Sequence, residues 1–118
     1  MKYISLNNIS LEKEELDNDF NNSEKLANVY IGSRILFLKN GFNLYYITYE
    51  TMKYAFRRVM VVPLFKKQIE VDYLVIADKR KELAQIKVPG HNIANSIIEK
   101  LKEKSPNTNF KCPDRIKH

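Results

Sequence analysis

The sequence is poor in the residues that most often build disulfides, metal sites and phosphate loops: it has one cysteine, two histidines and three glycines. Its single cysteine, Cys112, cannot form an intramolecular disulfide, and this usage fits a reducing compartment. His91 and His118 lie far apart along the chain, so no zinc site is expected. The glycines are too widely spaced for a phosphate-binding loop. We therefore predict no cofactor and no metal.

Catalytic motifs and long apolar segments are absent as well. No Ser, Cys or Lys accompanies a His or a carboxylate in a pattern typical of a nucleophile and its base, so the sequence does not predict an enzyme. No apolar run approaches the ~18 residues of a membrane-spanning helix, and the acidic N-terminal segment lacks the apolar stretch of a signal peptide. These absences favour a cytoplasmic protein.

What is present is the composition of one globular domain with an uneven charge. The chain has 118 residues, of which 44% are hydrophobic, and a formal net charge of +6. Residues 1–28 hold three lysines against six acidic residues, a net charge of −3, so the remainder carries +9. Basicity of this size favours anionic partners, although it also serves solubility alone.

The chain divides into three predicted parts. Residues 1–28 form an acidic N-terminal arm, with a short strand over Met1–Leu6 and a helix that begins near Ser10. The Asn-rich stretch 17–23 is expected to break that helix. Residues 29–105 form the body of the domain, and residues 106–118 a polar, flexible tail.

The clearest local signal is a first hairpin centred on Asn40-Gly41, a dipeptide typical of a type I′ turn. This centre pairs Phe37 with Leu44 and Ile35 with Tyr46. These four side chains then share one apolar face, while the opposite face is mixed. Such a pattern predicts a half-buried antiparallel sheet.

A third strand and a second hairpin follow. The third strand covers residues 54–62 and is expected to end at Pro63. The second hairpin joins residues 71–78 to residues 83–88. The pairing of Val75 with Ile86 leaves Gln85 and Lys87 on the outer face, a register that the apolar pattern favours.

The last predicted element is an amphipathic helix that begins at Asn92 as N-cap and ends at Ser105-Pro106. Its apolar stripe consists of Ile93, Ile97, Ile98 and Leu101. Such a helix suits the open end of a strongly bent sheet. The predicted fold class is therefore α+β: an antiparallel, strongly bent sheet or partial barrel, closed by a C-terminal helix.

This order resembles the pleckstrin-homology-like (PH-like) fold, especially small uncharacterised PH-like domains of bacteria. The resemblance covers residues 29–104 and includes the segment Ile47-x-Tyr49-x-x-Met52, the basic strand after it, the second hairpin and the closing helix. The chain has no tryptophan for that helix, where Ile97 or Ile98 would fill the space. It lacks a phosphoinositide motif, so lipid headgroup binding is not implied. The alternative is another small α+β sheet with a covering helix.

One basic and aromatic cluster is the candidate binding site. Arg57 and Arg58 point to opposite faces of a strand, so adjacency alone does not make them one patch. The two lysines 66 and 67 are placed in the loop after Pro63-Leu64-Phe65. Arginine suits phosphate, and tyrosine suits stacking on bases. The alternative role is that of a charged edge strand that prevents aggregation. The candidate residues are Lys53, Tyr54, Arg57, Arg58, Lys66 and Lys67.

Two functions from different classes stay open. The first is a non-enzymatic binding or scaffolding module for a protein or peptide partner, as PH-like folds often are. The second is an electrostatic binder of nucleic acid or of an anionic membrane surface. Self-association through an unpaired edge strand is compatible with both.

Overall fold

Two β-sheets and two α-helices make up the fold of residues 2–113, the part of the chain that the computed structural model describes. Met1 and residues 114–118 lie outside the described residues, and with them the first residue of the predicted strand and the end of the predicted tail. In chain order the elements are β1 (Lys2–Ser5), α1 (Lys13–Asn21), β2 (Glu24–Leu26), β3 (Val29–Ile31), β4 (Ile35–Asn40), β5 (Asn43–Thr48), β6 (Tyr54–Leu64), β7 (Lys67–Ala77), β8 (Glu82–Val88) and α2 (His91–Lys104).

The N-terminal segment contributes to the first sheet, whose strand order is β1-β5-β4-β3-β2. Strand β1 runs parallel to β5, while the other neighbours are antiparallel. Helix α1 begins at Lys13, three residues after the predicted start near Ser10, and continues through the first residues of the stretch 17–23 before it ends within that stretch, at Asn21. The helix continues because Asp19 and Phe20 make contacts with the body: Asp19 accepts backbone hydrogen bonds and Phe20 packs on Phe37.

The first hairpin has the predicted faces but a different register. Phe37 pairs with Tyr46 and Asn40 with Asn43, which is two residues from the expected pairing. Of the two residues Asn40 and Gly41, only Gly41 has a positive φ, so Asn40 does not adopt the left-handed conformation that a type I′ turn centred on this dipeptide demands. A shift of two residues keeps every side chain on its face, because side chains alternate with period two. Both faces are covered, since α1 packs on one side of the sheet and the second sheet on the other.

The second sheet, β6-β7-β8, differs from the prediction in register and in strand length. Leu74, not Val75, pairs with Ile86, a slip of one residue. Strand β8 keeps its predicted inward side chains, but Leu74 and Ile76 of β7 lie beside them in the core in place of Val75 and Ala77. Both faces of β7 are apolar near its C-terminal end, so the apolar pattern did not fix the register. An irregularity beside Ala77 absorbs the extra residue at the turn. Pro63 does not end β6; the strand continues to Leu64.

The core lies between the two sheets and α2. Leu36 and Ile47 of the first sheet, Leu74 of the second, and Ile97 and Leu101 of α2 are buried together. The α+β class and the C-terminal helix are thus confirmed, although Gly90 and not Asn92 is the N-cap.

Within residues 2–113 the strands form two sheets and no closed barrel. The edge of β5 is occupied by β1, and so β6 does not pair there. The C-terminal end of the described chain also packs on the body: Thr108 is buried, and the backbone of Asn109 bonds to Lys53 and Ala55.

Candidate functional site

The outer half of the β6–β7 hairpin extends beyond the rest of the second sheet. Strand β8 ends opposite Asp72, where it pairs through Val88. Residues 59–70, which we call the arm, are therefore a two-stranded ribbon with a turn at Phe65-Lys66. Each strand of this ribbon is about 20 Å long at ~3.3 Å per residue. The described residues together measure 49 × 29 × 23 Å.

The arm exposes apolar side chains on both faces and at its tip. Phe65 is 98% exposed and Val61 59%. Phe65 also has a positive φ of 57°, which for a large L-residue is strained outside special turns. Six of the eight large hydrophobic side chains that are exposed within residues 2–113 lie in the arm: Val59, Met60, Val61, Leu64, Phe65 and Ile69. An exposed apolar patch of this extent is typical of an interaction surface.

The apolar side chains continue along one face of the sheet toward the body. Met60 pairs with the buried Val71, and Val62 pairs with Ile69. At the base of the arm this stripe meets a surface cavity of about 460 Å³. Its lining includes Phe56, Arg58, Met60 and Cys112. The half-buried Cys112 packs against Phe56, so its thiol is part of this surface.

No strand within residues 2–113 pairs with the outer edge of β6 along the arm. Strand β6 pairs with β7 on one side, and on the other side the C-terminal segment reaches only its first residues: the Ala55 N–H donates to the Asn109 carbonyl at 3.0 Å. Backbone groups alternate in direction along a strand, so the odd-numbered residues 57–63 present theirs at this edge. Pro63 is one of them, which explains how a proline fits inside the strand: its missing N–H is on the unpaired side.

The exposed edge has no charged side chain over residues 59–65. Residues 59–65 read Val-Met-Val-Val-Pro-Leu-Phe. The opposite edge of the same sheet, β8, contains Glu82 and Lys87. Charged side chains normally protect a free edge from pairing with another chain. Pro63 is the single protective feature in residues 59–65, and it removes one donor only.

The candidate basic residues do not form one patch. Arg57 and Arg58 point to opposite faces, as their adjacency predicts, and each is engaged by its neighbours. Arg58 donates to Glu82 and to Gln85 (2.6 Å), with its guanidinium over the ring of Phe56.

The remaining candidates are separated from the arginines. Lys53 is exposed before β6, and the half-buried Tyr54 packs on the cluster around Phe56. Lys66 is in the hairpin turn and Lys67 begins β7, so the loop predicted for this lysine pair is a tight turn. Within residues 2–113 neither of these two lysines has an ion pair or a side-chain hydrogen bond. They lie about 20 Å along the strand from the arginines.

Arg57 belongs to a polar cluster that the sequence did not reveal. Asp72, whose side chain is 1% exposed, accepts from Arg57 Nε at 2.5 Å and lies 2.7 Å from His91 Nδ1. Asn95 and Glu70 complete the surroundings. Burial opposes ionisation of Asp72, but the hydrogen bonds and charges of His91 and Arg57 outweigh it and lower its pKa. The signal in the sequence was an aspartate inside an apolar strand, which requires a buried partner.

This cluster fixes the base of the arm to the body. Asp72 is on β7, Arg57 on β6, and His91 opens α2. The His91 side chain is half-exposed and lies against Asp72. Because Arg57 already donates to Asp72 and to Asn95, the cluster is suited to holding the hairpin in place.

Within the described part of the chain, no group of three or more His, Cys, Asp or Glu side chains is placed to hold a metal ion. None of the helices in residues 2–113 has the length and apolar character needed to cross a bilayer.

A comparison with protein families matches residues 1–112 to a domain of unknown function (DUF6709). No curated protein and no solved structure matches the chain.

Proposed function

The chain belongs to the DUF6709 family, whose description assigns no activity, and we propose from its own surface that it is a non-enzymatic binding module that engages a protein partner through the arm. The observation that carries this proposal is the free, uncharged β6 edge between exposed apolar faces. The partner is a protein segment of matching chemistry: extended, apolar and able to add as a strand.

Strand addition suits the arm better than docking on a flat face does. The free edge supplies backbone donors and acceptors, and these give affinity, while the side chains at alternate positions give specificity. A strand placed beside β6 would cover Val59 and Val61 on one face and Met60 on the other. The Asp72 cluster holds the base of the hairpin in position, which reduces the entropy lost on binding.

A PH-like architecture is part of the proposal. Strands β2 to β5 follow one another as an antiparallel meander, β6 to β8 form a second one, and α2 packs over the core. This order of four strands, three strands and a helix supports the resemblance. Ile97 is fully buried on α2, and under the proposed resemblance it would fill the space that many PH domains give to a tryptophan. Strand β1 and helix α1 are additions to it, and a cytoplasmic location is proposed with it.

The alternative function is electrostatic binding to an anionic membrane surface or to nucleic acid. Lys66 and Lys67 beside the exposed Phe65 favour it, because basic and aromatic side chains together suit such surfaces. Against it, the guanidinium groups of Arg57 and Arg58 are held by Asp72 and Glu82. Two lysines alone give weak and salt-sensitive binding.

The test compares three proteins in affinity capture from extract of the source cells: the unmodified chain, Val61→Lys and Phe42→Ser. The lysine places a charge on the exposed edge without touching the core. Phe42, 90% exposed at the turn of the β4–β5 hairpin, is the matched control for loss of an exposed apolar group. We expect one stoichiometric protein to be lost with Val61→Lys and kept with Phe42→Ser. Capture that is identical for all three proteins would refute the role of the arm.

A further inference from the structure

The free β6 edge sets conditions that a docking strand must meet. The available length runs from the turn at Phe65 down to Ala55, where Asn109 already occupies the edge. A second strand must therefore be no longer than this stretch and uncharged where it lies opposite residues 59–63. It must also have no positive charge opposite Arg57 and Arg58.

The β6 strand of this same chain meets these conditions. In an antiparallel pair centred on Val61, Val59 faces Pro63 of the second copy and Met60 faces Val62. The arginines then lie opposite apolar side chains: Arg58 faces Leu64, and Arg57 faces the ring of Phe65, an arrangement that favours cation–π contact. No charged side chain of one copy opposes a like charge of the other.

The same register, centred on Val61, also allows backbone hydrogen bonds between the two β6 strands. Odd-numbered residues direct their N–H and C=O groups to the free edge, so Val61 pairs with its own copy through two hydrogen bonds. The Val59 N–H reaches the carbonyl of Pro63 in the second copy, and the absent N–H of that proline leaves only the Val59 carbonyl without a donor. The turn of each arm ends beside Phe56 of the other, just before the position that Asn109 occupies.

Other edges of the sheet are less suitable for this pairing. The free part of β7 is short and carries Glu70, which lies 3.8 Å from His91. Strand β8 has Glu82 and Lys87 along its length.

On these grounds, and resting on the proposed function, we propose that the partner of the arm is a second copy of this chain. Two β6 strands pair antiparallel about a twofold axis at Val61, and the two three-stranded sheets become one six-stranded sheet. The pairing is isologous, so it closes as a dimer and does not propagate. Because each copy carries a net charge of +6, the copies repel one another at low ionic strength, and added salt strengthens the dimer.

The first experiment is sedimentation equilibrium of the full chain from about 1 µM to 1 mM, at low and at high salt. We expect a monomer–dimer equilibrium that shifts toward dimer as salt rises. Val61→Lys is expected to remain a folded monomer, as judged by circular dichroism, and Phe42→Ser to dimerise like the unmodified chain. A monomer throughout this range overturns the inference, and so does equal dimerisation of Val61→Lys.

The second experiment locates the axis by cross-linking. In a Cys112→Ser background, Val61→Cys places two thiols across the twofold axis, where the Cα atoms of a hydrogen-bonded pair are about 5.5 Å apart and within disulfide range. Air oxidation should give a disulfide-linked dimer at least about tenfold faster than it does with Lys79→Cys, an exposed control in the turn before β8. Equal rates for the two cysteines would place the axis elsewhere and overturn the inference.

Self-association and affinity capture, measured on the same variants, separate a wrong partner from a wrong binding surface. If the chain is monomeric but Val61→Lys still loses a captured protein, the arm binds a foreign strand and only the second copy is wrong. If Val61→Lys alters neither capture nor self-association, both are wrong. Binding to vesicles of anionic lipid that weakens with salt, without dimerisation, would favour the alternative function.

Discussion

Asp19 of α1 packs directly against Gly32 in the β3–β4 connection. A Cβ atom at position 32 would lie 2.7 Å from Asp19 Cγ and 2.8 Å from the carbonyl oxygen of Ile35. The Asp19 carboxylate accepts hydrogen bonds from the N–H groups of Ser33, Arg34 and Ile35 at 2.8, 3.1 and 2.8 Å. This contact holds α1 against the first sheet. Position 32 requires glycine because any side chain would clash with Asp19 and Ile35, and not because of its backbone φ.

Replacement of Gly32 by alanine should therefore destabilise the domain. The added methyl displaces the Asp19 carboxylate and weakens its three backbone hydrogen bonds. We expect a loss of about 3 kcal/mol in the free energy of unfolding, at the upper end of overpacking costs. Urea denaturation monitored by circular dichroism measures it. Gly41→Ala is the matched control: its Cβ meets open space, and its positive φ costs about 1 kcal/mol. A larger loss for Gly41→Ala would contradict the close contact.

Removal of the Asp72 charge should lower stability at neutral pH and flatten its acid dependence. In Asp72→Asn the side chains of Arg57 and His91 lose a buried partner, and we expect a loss of about 2 kcal/mol at pH 7, since both partners are partly solvated. The folded pKa of Asp72 is lower than its ordinary value of 3.8. Its stabilisation is thus complete above about pH 4 and disappears as the pH falls through the folded pKa.

The measurement is urea denaturation of both proteins between about pH 2 and 7. Asp78→Asn is the matched control, because hydrogen bonds from the backbone N–H groups of Arg80 and Lys81 lower the Asp78 pKa in a solvated turn. Its effect should be smaller. Parallel stability curves for Asp72→Asn and the unmodified chain would show that Asp72 contributes nothing through its charge.

The C-terminal segment after α2 should contribute to stability through Thr108. Its hydroxyl donates to the Met52 carbonyl at 2.8 Å, and the adjacent Asn109 bonds to the start of β6. We expect Thr108→Val to cost about 1 kcal/mol in the free energy of unfolding, because a buried carbonyl loses its donor. Faster hydrogen exchange at the Ala55 amide should accompany it. The exposed neighbour Asn107, changed to alanine, should have no effect, and an equal effect of both changes would contradict this role.

The apolar pattern of the sequence was a better guide to the first hairpin than to the second. In the first hairpin, a shift of two residues preserved the side-chain faces, so the apolar pattern predicted them correctly although the pairs were wrong. In the second hairpin, Val75 and Ile76 are both fully buried, which means that β7 has no polar face in this part. A pattern without alternation cannot distinguish two registers that differ by one residue.

The candidate site was only partly predictable. The sequence drew attention to Arg57, Arg58 and the lysines near Phe65, and correctly separated the two arginines by face. It did not reveal that Asp72 and His91 engage Arg57, because their contact joins positions 15 to 34 residues apart. It also did not reveal the arm, since an apolar strand looks the same whether or not another element covers it.

The sequence by itself determined the α+β class, the C-terminal helix, the side-chain faces of the first hairpin and the charge of the surface, because these follow from local periodicity and composition. The tertiary structure alone decided that β1 caps the edge of β5, that β8 stops at Val88 and leaves residues 59–70 as a two-stranded arm, and that no strand within residues 2–113 pairs with the outer edge of β6. Which strand ends lie beside which others depends on long-range pairing, and no local pattern records the length of a neighbour that is distant in the chain.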